Sequence, residues 1–131
     1  MKKRSIIITI GVAAICLCTM LFIFAGRRPF KDLTSADIAS AQIHLIPPDQ
    51  TITVADTDKL VSYLNELVIY YQDDSYREYA GQAVIITLEN TDGKQIEVIA
   101  DNIFITINGV RYKTKYEPCE ELNNYANSLL S

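Results

Sequence analysis

The hydrophobic residues of this 131-residue chain follow three different patterns along its length. The first pattern is continuous, because residues 5–26 (SIIITIGVAAICLCTMLFIFAG) include 22 positions without a charge. As a helix this stretch would be about 33 Å long, and a bilayer hydrocarbon core is about 30 Å thick. Basic residues flank it on both sides: Lys2, Lys3, Arg4, Arg27 and Arg28. The pattern predicts an N-terminal membrane anchor over residues 1–28, with the spanning helix at 5–26.

The second pattern is the alternation of apolar and polar residues that is typical of half-buried strands. Two such strands are predicted at 35–46 and 51–54, separated by Pro47-Pro48-Asp49. Four more are predicted later in the chain, at 83–89, 94–100, 103–107 and 110–115. The last two are joined by Asn108-Gly109, a strong signal for a two-residue hairpin turn.

The third pattern has helical spacing and occurs twice. Asp56 is a good N-cap, and an apolar stripe follows it at Leu60, Val61, Leu64, Leu67, Val68 and Tyr71. Pro118 favours the first turn of a second helix, whose apolar side is Leu122, Tyr125, Ala126 and Leu129. The predicted order is ββαββββα. It indicates an α+β domain at 35–131, an antiparallel sheet with two helices packed on it, joined to the anchor by a short linker at 29–34.

Charged residues are distributed unevenly between the predicted anchor and the predicted domain. The net charge is −4, but the residues after Arg28 include seven basic and sixteen acidic side chains, which gives −9. Because affinity for nucleic acid depends on neutralising phosphates with basic residues, such a domain is not expected to bind nucleic acid.

The apolar stretch also has to be weighed as a cleaved signal peptide. Peptidase sites need small residues, and Phe22, Ile23 and Phe24 fit this badly. We therefore favour an uncleaved anchor, with secretion after cleavage as the alternative. The basic flanks favour, by a small margin, a cytoplasmic N-terminus and a domain outside the cytoplasm.

Three basic side chains alternate near the end of the predicted sheet: Arg111, Lys113 and Lys115. Alternation places them on one face of a strand, where they could bind an anionic polymer, a lipid head group or an acidic peptide. The interpretation we favour is an exposed edge strand that charge protects against pairing with other chains.

Tyrosines are concentrated in the predicted loop 72–82 and just before it. Tyr76 and Tyr79 follow Tyr70 and Tyr71, and tyrosine is enriched at interfaces. A tyrosine-lined recognition surface is therefore one interpretation, and ordinary packing in the core and at its rim is the other.

Metal sites and nucleophiles receive little support from the sequence. Calcium ligands are conceivable at Asp73, Asp74 and Glu78, or at Asp56 with Asp58, but neither set has the spacing of a calcium loop. A single histidine, His44, and a single cysteine outside the anchor, Cys119, do not make a zinc site. We predict no metal and no cofactor.

Cys119 is the one candidate nucleophile in the predicted domain. It lies in the first turn of a predicted helix, which favours a thiolate, but the neighbouring residues Glu117, Glu120 and Glu121 oppose it. We predict a buried structural thiol and a domain that is not an enzyme. A Cys119-dependent enzyme or redox protein is the less favoured alternative.

Several segments carry a resemblance to a known module: DIASAQIHLIPPD, DSYREYAGQ and INGVRYKTKYEPCEELNNYANSLL. Residues 30–131 resemble a small extracytoplasmic domain of unknown function from Firmicutes, which is similar to a module appended to antirepressor-type membrane metallopeptidases. The resemblance implies sensing or association outside the cell. It implies no peptidase activity, because the chain lacks an HExxH motif. The predicted function is a membrane-anchored binding or sensing module.

Overall fold

The predicted strands pair into one antiparallel sheet in a computed structural model that describes residues 2–75, 81–101 and 103–130. An apolar helix, α1 (Lys2–Ala25), is followed by a 3-10 turn at Ser35–Asp37. The strands are β1 (Ile38–Ile46), β2 (Gln50–Thr53), β3 (Ile69–Gln72), β4 (Ala83–Asn90), β5 (Gln95–Asp101), β6 (Phe104–Ile107) and β7 (Val110–Thr114). The other helices are α2 (Thr57–Asn65) and α3 (Tyr116–Ser128). The strand order across the sheet is β2-β1-β4-β5-β6-β7-β3.

The predicted α+β class is confirmed, with one strand more than the pattern indicated. The stripe predicted a helix that continues to Tyr71, but α2 ends at Asn65 and Ile69–Gln72 forms β3. The carbonyl oxygen of Val68 accepts hydrogen bonds from the Lys115 amide and the Thr114 hydroxyl. These bonds hold the chain against the end of β7, and the β-branched and aromatic residues of β3 suit a strand.

The core lies between one face of the sheet and the helices α2 and α3. Buried residues of β1, β4, β5 and β6 pair across the strands on this face, for example Ile43 with Ile86 and Ile86 with Val98. The helices cover them with Leu60, Val61 and Leu64 from α2 and with Cys119, Leu122, Tyr125 and Ala126 from α3. The two helices also meet through stacked rings, because the centroids of Tyr63 and Tyr125 are 4.7 Å apart.

The opposite face of the sheet is not covered by α2 or α3. One cross-strand row on this face runs through His44, Ile85, Ile99, Thr106 and Arg111. All five are half-buried. An antiparallel sheet commonly has one face on the core and one towards water, and the half-burial of this row shows that its side chains are partly exposed to solvent.

Helix α1 differs from the rest of the fold in its exposure. The span Lys3–Leu21 has a mean hydropathy of 2.1, and none of it is buried against the protein. It is long and apolar enough to cross a membrane, a test that a signal sequence near the N-terminus also passes. The apolar side chains of Lys3–Leu21 are therefore not packed against the rest of the described fold.

The residues after α1 pack on the domain. Arg27 and Ile69 exchange two backbone hydrogen bonds of 2.8 Å each, and Phe30 is only 7% exposed within the core. The side chain amide of Asn65 donates to the carbonyl oxygens of Phe30 and Leu33, at 2.6 and 3.0 Å. The stretch predicted as a linker is thus held against α2 and β3.

Candidate binding surface on the uncovered sheet face

Two of the three predicted cations lie together on the uncovered face. Arg111 pairs across the sheet with Thr106, and Lys113 pairs with Phe104. The hairpin that presents them forms as predicted, because Asn108 and Gly109 both have positive φ, at 49° and 84°. This is the conformation that an Asn-Gly hairpin turn requires.

The hairpin turn is also fixed to the neighbouring strand. The side chain oxygen of Asn108 accepts a hydrogen bond of 2.9 Å from the Glu97 amide, and the Asn108 amide donates to the Glu97 carbonyl at 2.9 Å. These bonds set the register of β6 on β5, and the two-residue turn then sets the register of β7 on β6.

The interpretation of β7 as a protected edge strand is wrong. Strand β3 pairs with β7 on its outer side through Ile69–Thr114 and Gln72–Tyr112. β7 therefore has partners on both sides, and its cations have no edge to protect. The sequence pattern does not reveal this pairing, because the residues of β3 fit a helical stripe up to Tyr71 and a polar loop from Gln72.

Arg111 is held in place by an aromatic ring. Its guanidinium carbon lies 4.2 Å from the centroid of Phe104, a side chain that is 7% exposed. A cation at this distance over a ring is attracted by its quadrupole. Nε of Arg111 is buried and has no hydrogen-bond partner among the described residues. The contacts between basic and acidic side chains found within those residues join Arg28 to Glu66 and His44 to Asp49, so they do not involve this guanidinium.

Asp101, at the end of β5, interacts electrostatically with Arg111. Burial raises the pKa of the Asp101 carboxyl, and the positive charge of Arg111 acts in the opposite direction without cancelling this effect. Asp101 is therefore only partly compensated by the cation beside it. Its strand partner is Phe104, the same ring that supports Arg111.

We call this region the Arg111 patch and define it by Ile85, Ile99, Phe104, Thr106, Arg111 and Lys113. Its apolar members are half-buried or buried, and its two cations lie on β7. A guanidinium presents a planar set of donors that matches a carboxylate or phosphate with two parallel hydrogen bonds. The arrangement suits a ligand that has an anionic group beside an apolar portion.

The third predicted cation lies apart from β7. Lys115 follows the last residue of the strand and is the N-cap of α3, with extended backbone at φ −67° and ψ 132°. The structure therefore brings together Arg111 and Lys113 on the strand, and it places Lys115 at the helix start. Tyr76 and Tyr79, the other two predicted surface residues, lie outside the described residues, as does Glu78.

Two of the carboxylates that might have bound calcium, Asp56 and Asp73, accept hydrogen bonds from nearby backbone amides. Asp56 caps α2 and accepts a hydrogen bond of 3.1 Å from the Lys59 amide. Asp73 accepts one of 3.0 Å from the Ser75 amide. No group of three or more metal-ligating side chains was found among the described residues.

His44 and Cys119 have structural environments. Nε2 of His44 is 2.6 Å from Oδ1 of Asp49, across the turn that contains the two prolines. Cys119 is fully buried, as predicted. Burial, assisted by the negative charge of Asp101, raises the pKa of the Cys119 thiol to about 12. The sequence predicts that three neighbouring glutamates raise the thiol pKa. In the structure, the largest cause of the raised pKa is the burial of the thiol.

Phe104 was missed by the sequence analysis, although a signal was present. The predicted strand 103–107 alternates Ile103, Ile105 and Ile107 towards the core, so Phe104 falls on the supposedly polar face. A large aromatic residue at such a position is a sign that the face is not simply solvated. Its relation to Arg111 depends on the pairing of β6 with β7.

Comparisons with protein-family models, with curated proteins and with solved structures found no match for the chain. They do not bear on the resemblance to the extracytoplasmic module, which stays a prediction.

Proposed function

We propose that the chain is a membrane-anchored binding module that displays its domain outside the cytoplasm. In this proposal α1 spans the bilayer, and the Arg111 patch binds a carboxylate-bearing segment of another membrane or envelope protein. The domain acts by contact and carries out no reaction. The resemblance to an extracytoplasmic module is consistent with this role and remains a prediction beside it.

The observation that carries the proposal is the state of Arg111. Its guanidinium is stacked on a buried ring, and its Nε is buried without a hydrogen-bond partner among the described residues. Because Nε is buried, a ligand carboxylate would bind the terminal nitrogens of this half-buried side chain, which no ion pair joins to a carboxylate of the described residues. The stacking also restricts the side chain before binding, which lowers the entropy lost on association.

The apolar neighbours favour a polypeptide ligand over a simple anion. Ile85 and Ile99 lie in the same cross-strand row as Arg111 and are half-buried. A partner segment with one acidic residue beside an aliphatic one would fill both parts of the patch. The net charge of −9 after Arg28 would repel a highly acidic ligand, so we expect a single carboxylate and not an acidic run.

Site-specific crosslinking tests the binding surface. A photoreactive residue introduced at Thr106, within the patch, should crosslink a partner in whole cells, and one introduced at Asp92, in the exposed turn between β4 and β5, should not. Arg111→Gln should reduce the Thr106 crosslink at least tenfold. Lys94→Gln, which removes an exposed cation beside that turn, should leave it unchanged. An unchanged crosslink in Arg111→Gln would contradict the proposed site.

Labelling in intact cells tests the topology. In a Cys16→Ser/Cys18→Ser background, Asp92→Cys should react with a membrane-impermeant maleimide without cell lysis. Reaction only after lysis would place the domain in the cytoplasm. The mass of the mature chain tests the alternative of secretion, because cleavage of α1 would remove about two dozen residues.

A further inference from the structure

The second region that suggests a ligand is a groove at the end of α1. It has a volume of about 610 Å³ and is lined by Ala25, Gly26, Arg27, Arg28, Lys31 and their neighbours, with Val68 on the domain side. Ligand sites commonly have volumes of about 300–1,000 Å³. If α1 spans a bilayer, as proposed above, this groove opens at the level of the lipid head groups.

The shape of the groove is set by backbone contacts. Gly26 has φ +75°, and a Cβ at this position would lie 2.7 Å from Cγ1 of Val68. The next residue, Arg27, donates a backbone hydrogen bond to Ile69 and accepts one from it. The chain therefore leaves α1 along a fixed path against β3, and Arg27 and Lys31 are carried on a segment that the fold holds in place.

The charges in the groove are not equally compensated. Arg28 donates 2.8 Å to the carbonyl oxygen of Asn65 and lies 3.4 Å from a carboxylate oxygen of Glu66. Arg27 and Lys31 are both exposed, and no ion pair joins either of them to a carboxylate of the described residues. The guanidinium of Arg27 lies 5.8 Å from the centroid of the Tyr112 ring. Two cations in the groove are thus available to an anion.

We propose that this groove binds the phosphate-containing head group of an anionic phospholipid, with Arg27 and Lys31 as its cationic contacts. The proposal rests on the proposed anchoring, because only a spanning α1 brings the groove to the head groups. Attraction of basic residues to anionic lipid is worth about 1 kcal/mol each. Two cations then correspond to about a 25-fold preference for anionic over zwitterionic lipid, since about 1.4 kcal/mol is a factor of ten.

Native mass spectrometry of the full chain in a neutral detergent tests the site. With equal amounts of phosphatidylglycerol and phosphatidylcholine, we expect one phosphatidylglycerol retained per chain, in preference to phosphatidylcholine by about 25-fold. Arg27→Gln/Lys31→Gln keeps the Arg27 backbone bonds and should bring the preference close to one.

The matched control acts on the other end of α1. Lys2→Gln/Lys3→Gln also removes two cations but leaves the groove intact, so the preference should stay within about twofold of the unaltered chain. Loss of preference in this control, with retention in Arg27→Gln/Lys31→Gln, would show that lipid binds the opposite end and would overturn the proposal. No preference in the unaltered chain would also overturn it.

The same spectra separate this inference from the proposed function. A measured mass that corresponds to a chain without α1 would contradict both the proposed anchoring and the proposed lipid site. A full-length chain that shows no preference for anionic lipid would contradict the lipid site alone. The proposal of an anchored binding module would then stand.

Discussion

The two faces of the sheet are built from the same strands but are in different chemical environments. In β4, Ile86 faces the helices and is fully buried, while its neighbour Ile85 is half-buried on the uncovered face. In β7, Thr114 is buried and Arg111 is not. The covered face supplies the packing that stabilises the domain. The uncovered face retains a cation on a ring and exposed isoleucine surface, which contribute little to folding and are available for binding.

The largest effect of burial on the covered side is expected in the reactivity of Cys119, a buried residue of α3. A rise in its pKa from 9.0 to about 12 lowers the thiolate fraction at pH 7 about a thousandfold, and burial adds a steric barrier. In Cys16→Ser/Cys18→Ser, iodoacetamide should modify Cys119 at least a thousand times more slowly in the native state than in urea. Comparable rates would show an accessible thiol and favour the Cys119-dependent alternative.

Matched truncations in β4 measure the energetic difference directly. Ile86→Ala should lower the free energy of unfolding by about 3–4 kcal/mol, because it removes buried methylenes and leaves a cavity. Ile85→Ala should cost about 1 kcal/mol, since its site is already partly solvated. Urea unfolding followed by circular dichroism gives both values. Equal losses would mean that the second face is covered as effectively as the first.

The Phe104 ring under Arg111 is buried, whereas the neighbouring side chains on the uncovered face are half-buried. Phe104→Leu should cost about 1 kcal/mol, from smaller apolar burial and the loss of the contact between cation and ring. Arg111→Gln should change stability by less than about 1 kcal/mol while reducing the crosslink at Thr106. A loss above about 3 kcal/mol for Arg111→Gln would show a structural role instead.

The smallest effect concerns pH and Asp101. Burial raises the folded-state pKa of Asp101 above its unfolded value, so the folded state binds the proton more tightly. This contribution is present below the unfolded pKa and is lost as pH rises through the folded pKa. Because the side chain is partly solvated, Asp101→Asn should stabilise the domain at pH 7 by only a few tenths of a kcal/mol, and less at pH 3.

The control for this pH effect is Asp32→Asn, which alters an exposed carboxyl near α1. Thermal unfolding at the two pH values should show no comparable difference for it. A destabilised Asp101→Asn at pH 7 would show that attraction to Arg111 outweighs the desolvation of Asp101.

Local signals in the sequence predicted much of the fold. Asn108-Gly109 fixed the last hairpin, Asp56 marked the start of α2, and period-two alternation identified the strands on either side of them. Each of these depends on residues close together in the chain. Strand β3 was missed because Leu67, Val68 and Tyr71 also fit helical spacing.

The features that sequence reasoning missed depend on distant partners. β3 has its conformation because β7 and Arg27 pair with its two sides, and these contacts join residues forty or more positions apart. The contact between Arg111 and Phe104 likewise requires the register of two strands. The sequence alone therefore gives Arg111 and Lys113 as candidates, whereas the Phe104 ring beside Arg111 is identified only through the strand pairing.

The bond pair between Arg27 and Ile69 has a practical consequence for fragments of this protein. A polypeptide begun at Phe30 would leave the outer backbone groups of β3 unpaired and expose an edge to which other chains can add. A polypeptide begun at Gly26 would keep the backbone pairing between Arg27 and Ile69. The boundary for a soluble version thus lies at Gly26, directly after α1, and not at the first core residue, Phe30.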